Sequence, residues 1–440
     1  MFNYQMELLI YIENFINIIS ICCFYFFQFD LFNCIKLLLF GSITIDGTIS
    51  IYNNFNTPLE NYHLILKKFK KIKFGEKFNY SIDDLPESIE EIHFSSNSQF
   101  NQPINKLPSG LKILKFGFDF NQTIDNLPGS LKILTFGWDS CFNQSIDKLP
   151  KNLLILKLSH DFVKIFNNLP EKLIHLEFSR KFNNPVYVDG DGENNNIESV
   201  NKCKLSNSIE CLIFGESFNQ SVDSLPKSLK KLVLGSYFSN PLNKLPSNLK
   251  ILIIGERFTY PLDHLPTGLT HLYLNYSERK FPNNSIINGF EDKRLNTMYK
   301  YPLDNLPKNL MHLQIGSRFN HPINNLPCTI KYLSVGPDFN CQVDNLPNSI
   351  EYLKFGYEFN KSVDYLPSSI KYLIFGYKFS QPINNLPSTI TNLTFGYSFN
   401  QPINNLSENI EYLTLSKFYK HPIHKLPKKL KKLKFLNNKN

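Results

Sequence analysis

The chain has 440 residues and a formal net charge of +9, and it contains 39 Phe but a single Trp. Its eight cysteines form no Cys-x-x-Cys pair, which argues against a zinc site or a disulfide framework and indicates a reducing intracellular compartment, the cytoplasm. Because the sequence has no glycine-rich phosphate loop and no nucleophile–base arrangement, we expect neither an enzyme nor a bound metal ion or cofactor.

The first 45 residues form a strongly apolar N-terminal segment. Met6 to Phe27 is long enough to span a membrane, although polar residues such as Glu13 and Asn14 interrupt it and no basic cluster flanks it. The segment can be interpreted in three ways: as a helical docking module, as a cap on the following domain or as a membrane segment. Membrane association is therefore an open alternative.

Residues 46–436 repeat a pattern of twenty residues, Leu-Pro-x-x-Ile-x-x-Leu-x-Phe-Gly-x-x-Phe-Asn-x-Pro-Ile-x-x. A fixed period of this size is typical of a stacked solenoid. Insertions near residues 186–202 and 275–300 interrupt the pattern, and residues 437–440 form a polar tail. The leucine of the Leu-Pro pair recurs without a slip at Leu306, Leu326, Leu346, Leu366, Leu386, Leu406 and Leu426.

Each repeat contains one short predicted strand. The Leu-x-Phe motif has a period of two, which places its apolar side chains on one face, and the following glycine ends the strand. Prolines at two fixed places leave no room for a helix in the return segment. The predicted fold class is a leucine-rich-repeat-like solenoid with one curved parallel β-sheet, extended return segments and little regular helix, built from about seventeen or eighteen strands.

A polar column follows the second phenylalanine of each repeat. Most repeats have asparagine there, whereas Ser239, Thr259 and Ser380 are the exceptions. Small hydrogen-bonding side chains at one position indicate a ladder that satisfies backbone groups at the turns between coils. The predicted ladder asparagines are Asn79, Asn101, Asn121, Asn143, Asn183, Asn219, Asn320, Asn340, Asn360 and Asn400.

Tyrosines occupy two outward columns in the C-terminal repeats, one before the central leucine and one after the glycine. Tyrosine combines a large contact area with a hydrogen-bonding group, which favours binding interfaces. Recent copying of one repeat would produce the same rows without any binding role, and this alternative stays open. The predicted partner-binding residues are Tyr332, Tyr352, Tyr372, Tyr412, Tyr357, Tyr377 and Tyr397.

Lysines crowd both ends of the repeat region, at Lys67 to Lys73 and at Lys425 to Lys434. The terminal repeats of a solenoid must present a polar face to water, and we prefer this capping interpretation to nucleic-acid binding. A nucleic-acid-binding protein is expected to place basic and aromatic residues along the middle of its groove.

The segments Phe100-Asn101-Gln102-Pro103-Ile104 and Phe399-Asn400-Gln401-Pro402-Ile403 resemble the signature of FNIP repeats, a relative of leucine-rich repeats. The resemblance covers about Phe69 to Phe435. It implies a non-catalytic scaffold that binds a protein partner on its concave face. Many members of the family carry an N-terminal F-box, which docks the ubiquitin-ligase adaptor Skp1.

An F-box in this chain would have to lie in residues 1–45. That segment lacks the opening Leu-Pro and the basic or Trp ending expected of an F-box. We therefore expect an interaction scaffold. More specifically, the chain is expected to be the substrate-binding part of an F-box-type ubiquitin-ligase adaptor. The alternative is a membrane-tethered repeat protein anchored by the N-terminal segment.

Overall fold

The computed structural model describes residues 41–44, 46–188, 202–276 and 298–436. These residues form a parallel β-solenoid with very little helix, which confirms the predicted fold class. The chain divides into two compact units. Unit 1 consists of Met1–Asn184 and Val188–Ile209, and unit 2 consists of Pro185–Tyr187 and Glu210–Asn440.

Unit 1 begins with an antiparallel hairpin, in which β1 (Gly41–Ile43) pairs with β2 (Thr48–Ile51). A 3-10 turn, Glu60–Tyr62, and the short helix α1, His63–Leu66, follow. From β2 to β8 each strand pairs in parallel with the next one in sequence. The remaining strands of unit 1 are β3 (Lys71–Phe74), β4 (Glu91–Phe94), β5 (Ile113–Phe116), β6 (Ile133–Phe136), β7 (Ile155–Lys157), β8 (His175–Glu177) and β10 (Cys203–Lys204).

Unit 2 contains the short strand β9 (Val186–Tyr187) and a parallel sheet in which β11 to β21 pair in sequence order. The strands of that sheet are β11 (Cys211–Ile213), β12 (Lys231–Leu234), β13 (Ile251–Gly255), β14 (His271–Tyr276), β15 (His312–Gln314), β16 (Tyr332–Ser334), β17 (Tyr352–Lys354), β18 (Tyr372–Ile374), β19 (Asn392–Thr394), β20 (Tyr412–Leu415) and β21 (Lys432–Phe435).

The strand register stacks equivalent positions of successive repeats on one another. Leu353 lies opposite Leu333 on one side and Leu373 on the other. Leu353 and Phe355 are buried, whereas Tyr352 and Lys354 on the same strand are only half-buried. The period-two pattern therefore divides each strand into a core face and a solvent-facing side, which we call the sheet face.

Phenylalanine rings form two columns inside the solenoid. Within one repeat the rings of Phe355 and Phe359 stack with centroids 3.7 Å apart, and Phe359 stacks on Phe379 of the next repeat at 6.0 Å. The repeat whose pattern is lost between Leu265 and Leu306 still fills this column. There the buried ring of Tyr299 stacks between Phe258 and Phe319, at 6.2 and 6.5 Å.

A glycine that follows many of the strands allows the close approach of neighbouring coils, whereas serine takes this place at Ser95, Ser159, Ser179 and Ser416. A Cβ atom added at Gly376 would lie 1.7 Å from the carbonyl oxygen of Gly356, and one at Gly396 would lie 1.8 Å from that of Gly376. The positive φ found at Gly47 does not occur at these residues. The role of Gly376 and Gly396 is therefore steric, because a Cβ atom at either residue would push two hydrogen-bonded coils apart.

Several predictions concern parts of the chain outside the described residues. The apolar segment Met6 to Phe27 and most of the two insertions, 186–202 and 275–300, belong to those parts. The domain boundaries at residues 45 and 436 stay predictions. Across the described ranges, no helix is both long enough and apolar enough to cross a membrane.

Candidate interaction surface

Nine asparagines of the predicted ladder accept a hydrogen bond from the backbone of the following repeat. The Oδ1 atom of Asn101 accepts a hydrogen bond of 2.9 Å from the backbone N–H of Asn121, and Asn340 accepts one of 2.9 Å from Asn360. Most of these asparagines are half-buried, although Asn183, Asn219 and Asn320 are exposed. Equivalent bonds use Oδ1 of Asn79, Asn121, Asn143, Asn219, Asn320, Asn360 and Asn400 as the acceptor.

A second ladder, made by hydroxyl groups, was not anticipated from the sequence. Ser369 donates to the carbonyl of Ile350 at 2.6 Å, and Thr389 donates to that of Ile370 at 2.8 Å. The signal lay in the Ser or Thr that often precedes the isoleucine of the Leu-Pro-x-x-Ile motif. Because both ladders satisfy backbone groups within the solenoid, neither is a candidate contact site for a partner.

Three of the predicted tyrosines form a stack on the sheet face of unit 2. The rings of Tyr332 and Tyr352 are 4.3 Å apart and nearly parallel, and Tyr372 follows at 6.1 Å with a tilt of 30°. Tyr412 is separated from this stack by Asn392, which lies between it and Tyr372 in the register. Tyr372 and Tyr412 are 45% and 43% exposed, whereas the rings inside the stack are half-buried.

Burial favours the protonated form of the hydroxyl groups of Tyr332 and Tyr352. It raises the pKa of Tyr332, and the neighbouring Tyr352 raises it further through its charge and through a hydrogen bond between the two hydroxyls. Burial also raises the pKa of Tyr352. The stack therefore offers neutral hydroxyl groups as hydrogen-bond donors and acceptors.

The second predicted row lies in the turns after the glycines. The rings of Tyr357 and Tyr377 stack at 4.6 Å, and those of Tyr377 and Tyr397 stack at 4.9 Å. The ammonium group of Lys417 lies 5.7 Å from the ring of Tyr397, within cation–π range. This row therefore continues along three successive coils and ends beside a cation.

The sheet face of β15 to β20 carries no acidic side chain. Its outward residues are neutral apart from Lys354, with His312 at one end. Burial, with the charge of Lys331 next, lowers the pKa of His312, which favours its neutral form. In unit 1, by contrast, Lys71 pairs with Glu91 at 3.1 Å on the sheet face and Lys157 pairs with Glu177 at 2.8 Å.

The position after the glycine is also aromatic in unit 1, where the tyrosine rows do not reach. Phe118 and Trp138 occupy it on successive repeats and are 42% and 66% exposed. Reading this column along the whole sequence would have found them, because Phe-Gly precedes both residues. Their exposure, however, is a property of the folded chain.

The structure offers no assembled metal site in the ranges that it describes. No group of three or more His, Cys, Asp or Glu side chains there is arranged to hold a metal ion. The rings of His271 and His312 stack on each other, with centroids 4.2 Å apart and nearly parallel planes. Burial lowers the pKa of His271, as it does for His312.

Comparison with known proteins identifies the repeat. A family model described as FNIP Repeat matches residues 78–117, 100–139, 196–237, 301–338, 319–358, 339–378, 359–398 and 379–407. A search of curated proteins finds no significant match.

Several solved structures of repeat proteins are similar to the chain. The circular leucine-rich-repeat protein CroV588 is 29% identical, with 88% of this chain and 76% of that chain covered and a TM-score of 0.41. YopM from Yersinia enterocolitica is 19% identical, with coverages of 83% and 76% and a TM-score of 0.47. An internalin from Listeria monocytogenes is 12% identical, with coverages of 89% and 87% and a TM-score of 0.36.

Proposed function

Because this chain is an FNIP-repeat protein, we propose that it is a non-catalytic scaffold that binds a protein partner on the sheet face of unit 2. The observation that carries the proposal is the tyrosine stack of Tyr332, Tyr352 and Tyr372 on a stretch of sheet without acidic side chains. Tyrosine is enriched among the residues that dominate protein interfaces.

The geometry of the stack favours a protein over a single-stranded nucleic acid. A nucleobase binds an aromatic side chain by stacking on its ring face. In this stack the facing sides of Tyr332 and Tyr352 are covered by each other at 4.3 Å. Stacking leaves the ring edges and hydroxyl groups of Tyr332 and Tyr352 for contact with a partner, and hydroxyl groups suit peptide carbonyls and polar side chains.

Replacing the three tyrosines tests the proposal. Partners are first identified by proximity labelling and then purified for binding measurements with the parent chain. The triple variant Tyr332→Ser, Tyr352→Ser, Tyr372→Ser should lose binding, because one well-packed interface tyrosine can contribute about 2 kcal/mol or more. The matched triple Phe variant keeps ring stacking and should bind more tightly than the Ser variant. Undiminished affinity in a folded Ser variant would contradict the proposal.

The finer form of the proposal concerns residues 1–45. We propose that this segment docks a Skp1-type adaptor, so that the repeats present a substrate to a ubiquitin ligase. The support is the F-box found in many members of the family, together with the apolar character of the segment. Purified Skp1 should bind the full chain and should not bind a chain that lacks residues 1–45.

Equal Skp1 binding by both chains, or by neither, would contradict the adaptor role. Membrane tethering is tested separately by fractionation of cells that express the full chain. Release from membranes by detergent alone would favour the membrane-anchored alternative. Release by salt, or absence from membranes, would favour the scaffold without an anchor.

A further inference from the structure

Phe118 and Trp138 form an exposed aromatic surface on unit 1, distinct from the tyrosine rows of unit 2. Trp138 is the only tryptophan of the chain, and it is 66% exposed although most other large aromatic side chains among the described residues are buried or half-buried. Phe118, on the preceding repeat, is 42% exposed. Contiguous exposed apolar surface marks interaction sites, and tryptophan is enriched among the residues that dominate protein interfaces.

Backbone hydrogen bonds hold the two aromatic residues on adjacent coils. The N–H of Cys141 donates to the carbonyl of Phe118 at 2.8 Å, which joins the Phe118 coil to the turn that begins at Trp138. On the other side, the ring of Trp138 meets that of His160 edge-on, with centroids 6.3 Å apart. The aromatic row thus extends over three successive coils.

Carboxylates accompany the aromatic row. Asp119, Asp139 and Asp161 each follow one residue of the row directly in sequence. The Oδ1 atom of Asp161 lies 2.9 Å from Nδ1 of His160, whose ring meets that of Trp138. At one end of the row the ammonium group of Lys181 pairs with the carboxylate of Asp161 at 2.6 Å and neutralises its charge.

We propose that Phe118 and Trp138 form a second docking surface, which binds a basic segment of a protein partner. A lysine or arginine side chain of that segment lies over the ring of Trp138, and Asp119 and Asp139 neutralise its charge. Tryptophan is the best aromatic partner for a cation, and nearby carboxylates strengthen the attraction. The inference goes beyond the tyrosine site, because it assigns a different surface and a partner of defined charge.

The test uses the full chain and two labelled peptides of equal length, one rich in lysine and arginine and the other rich in glutamate. Emission from Trp138 reports on this surface alone, because the chain has no other tryptophan. The basic peptide should change this emission in a saturable way, and the acidic peptide should leave it unchanged. Raising the ionic strength should weaken binding, because salt shortens the Debye length.

Variants identify the residues responsible, with the anisotropy of the labelled basic peptide as the readout. Trp138→Ala should weaken binding by about tenfold or more, as expected for a dominant interface aromatic. The double variant Asp119→Asn, Asp139→Asn should weaken it and reduce its salt dependence. Tyr365→Ala is the matched control, because Tyr365 is 72% exposed on another surface, and it should bind like the parent.

Three results would overturn the proposal. The first is parental affinity in a folded Trp138→Ala chain, with folding checked by circular dichroism. The second is equal binding of the acidic peptide. The third is self-association of the parent that Trp138→Ala abolishes, because a second copy would then be the occupant. The triple serine variant of the tyrosine stack should bind the basic peptide normally, so this test and that of the tyrosine site can fail independently.

Discussion

Replacing Gly376 with alanine should destabilise unit 2, although alanine is the smallest possible addition. The new Cβ atom would lie 1.7 Å from the carbonyl oxygen of Gly356, whereas ordinary contacts begin at 3.4 Å. The two coils must therefore separate by about 1.7 Å, roughly a third of the usual spacing of about 4.8 Å between strands.

That separation would stretch backbone hydrogen bonds on both sides of the glycine. Lys378 N–H donates to the carbonyl of Tyr357 at 2.9 Å, and Phe355 N–H donates to that of Ile374 at 2.8 Å. Two weakened bonds at about 1 kcal/mol each, with about 1 kcal/mol for overpacking, give a loss of about 3 kcal/mol.

Hydrogen exchange measured by mass spectrometry on peptides of the mutated repeat gives the local free energy of opening. Gly129→Ala is the control, because a Cβ atom there meets no atom within 4 Å. It should leave the stability of its own repeat unchanged or raise it by up to about 1 kcal/mol. Equal protection of the Gly376 repeat in parent and variant would refute the steric role of this glycine.

Two further predictions concern the ladder and the response to acid. Asn360→Leu should lower the free energy of unfolding, measured by urea denaturation, by about 1 to 3 kcal/mol, because it leaves the N–H of Ser380 without its acceptor. Asn360→Ser should cost less, because a serine can accept such a bond, as Ser380 does from the N–H of Asn400. Equal stability of the Leu variant and the parent would count against the ladder. Burial, followed by the charge of Lys115, lowers the pKa of His93 from 6.5 to about 4. As the pH falls, His93 is therefore protonated in the unfolded chain before it is protonated in the folded chain. The free energy of unfolding should fall by on the order of 1 to 3 kcal/mol as the pH drops from 6.5 to 4. His93→Thr should remove that part of the acid sensitivity, and an unchanged pH profile of the variant would show that another group is responsible.

The core residues of each coil are predictable because the same apolar residue types recur at fixed positions of the repeat. The spacing of Leu353 and Phe355 gives the buried face of a strand, and the prolines exclude helix from the return segment. The sequence does not single out Tyr299, because its repeat has lost most of the pattern, yet its ring fills the phenylalanine column. The sequence predicts that Gly376 ends a strand, whereas its contact with Gly356 depends on the register between coils.

The candidate interaction surfaces are harder to predict from the sequence than the core. The positions of the tyrosines in the repeat indicated their outward columns, whereas the stacking of Tyr332 on Tyr352 depends on the side-chain conformations in the folded sheet. Trp138 occupies the same column as Tyr377 but lies in a repeat without a tyrosine row, so only its exposure distinguishes it.

The central claim is that the sheet face of unit 2 contacts a protein partner, and site-specific photo-crosslinking tests it most directly. A benzophenone amino acid is placed at position 352 in the tyrosine stack or at position 365, where Tyr365 is exposed in a return segment. The scaffold account predicts a crosslink from position 352 to a partner that also binds the purified parent chain, and none from position 365. Crosslinks from position 365 alone, or none from position 352 while the partner remains bound, would contradict it.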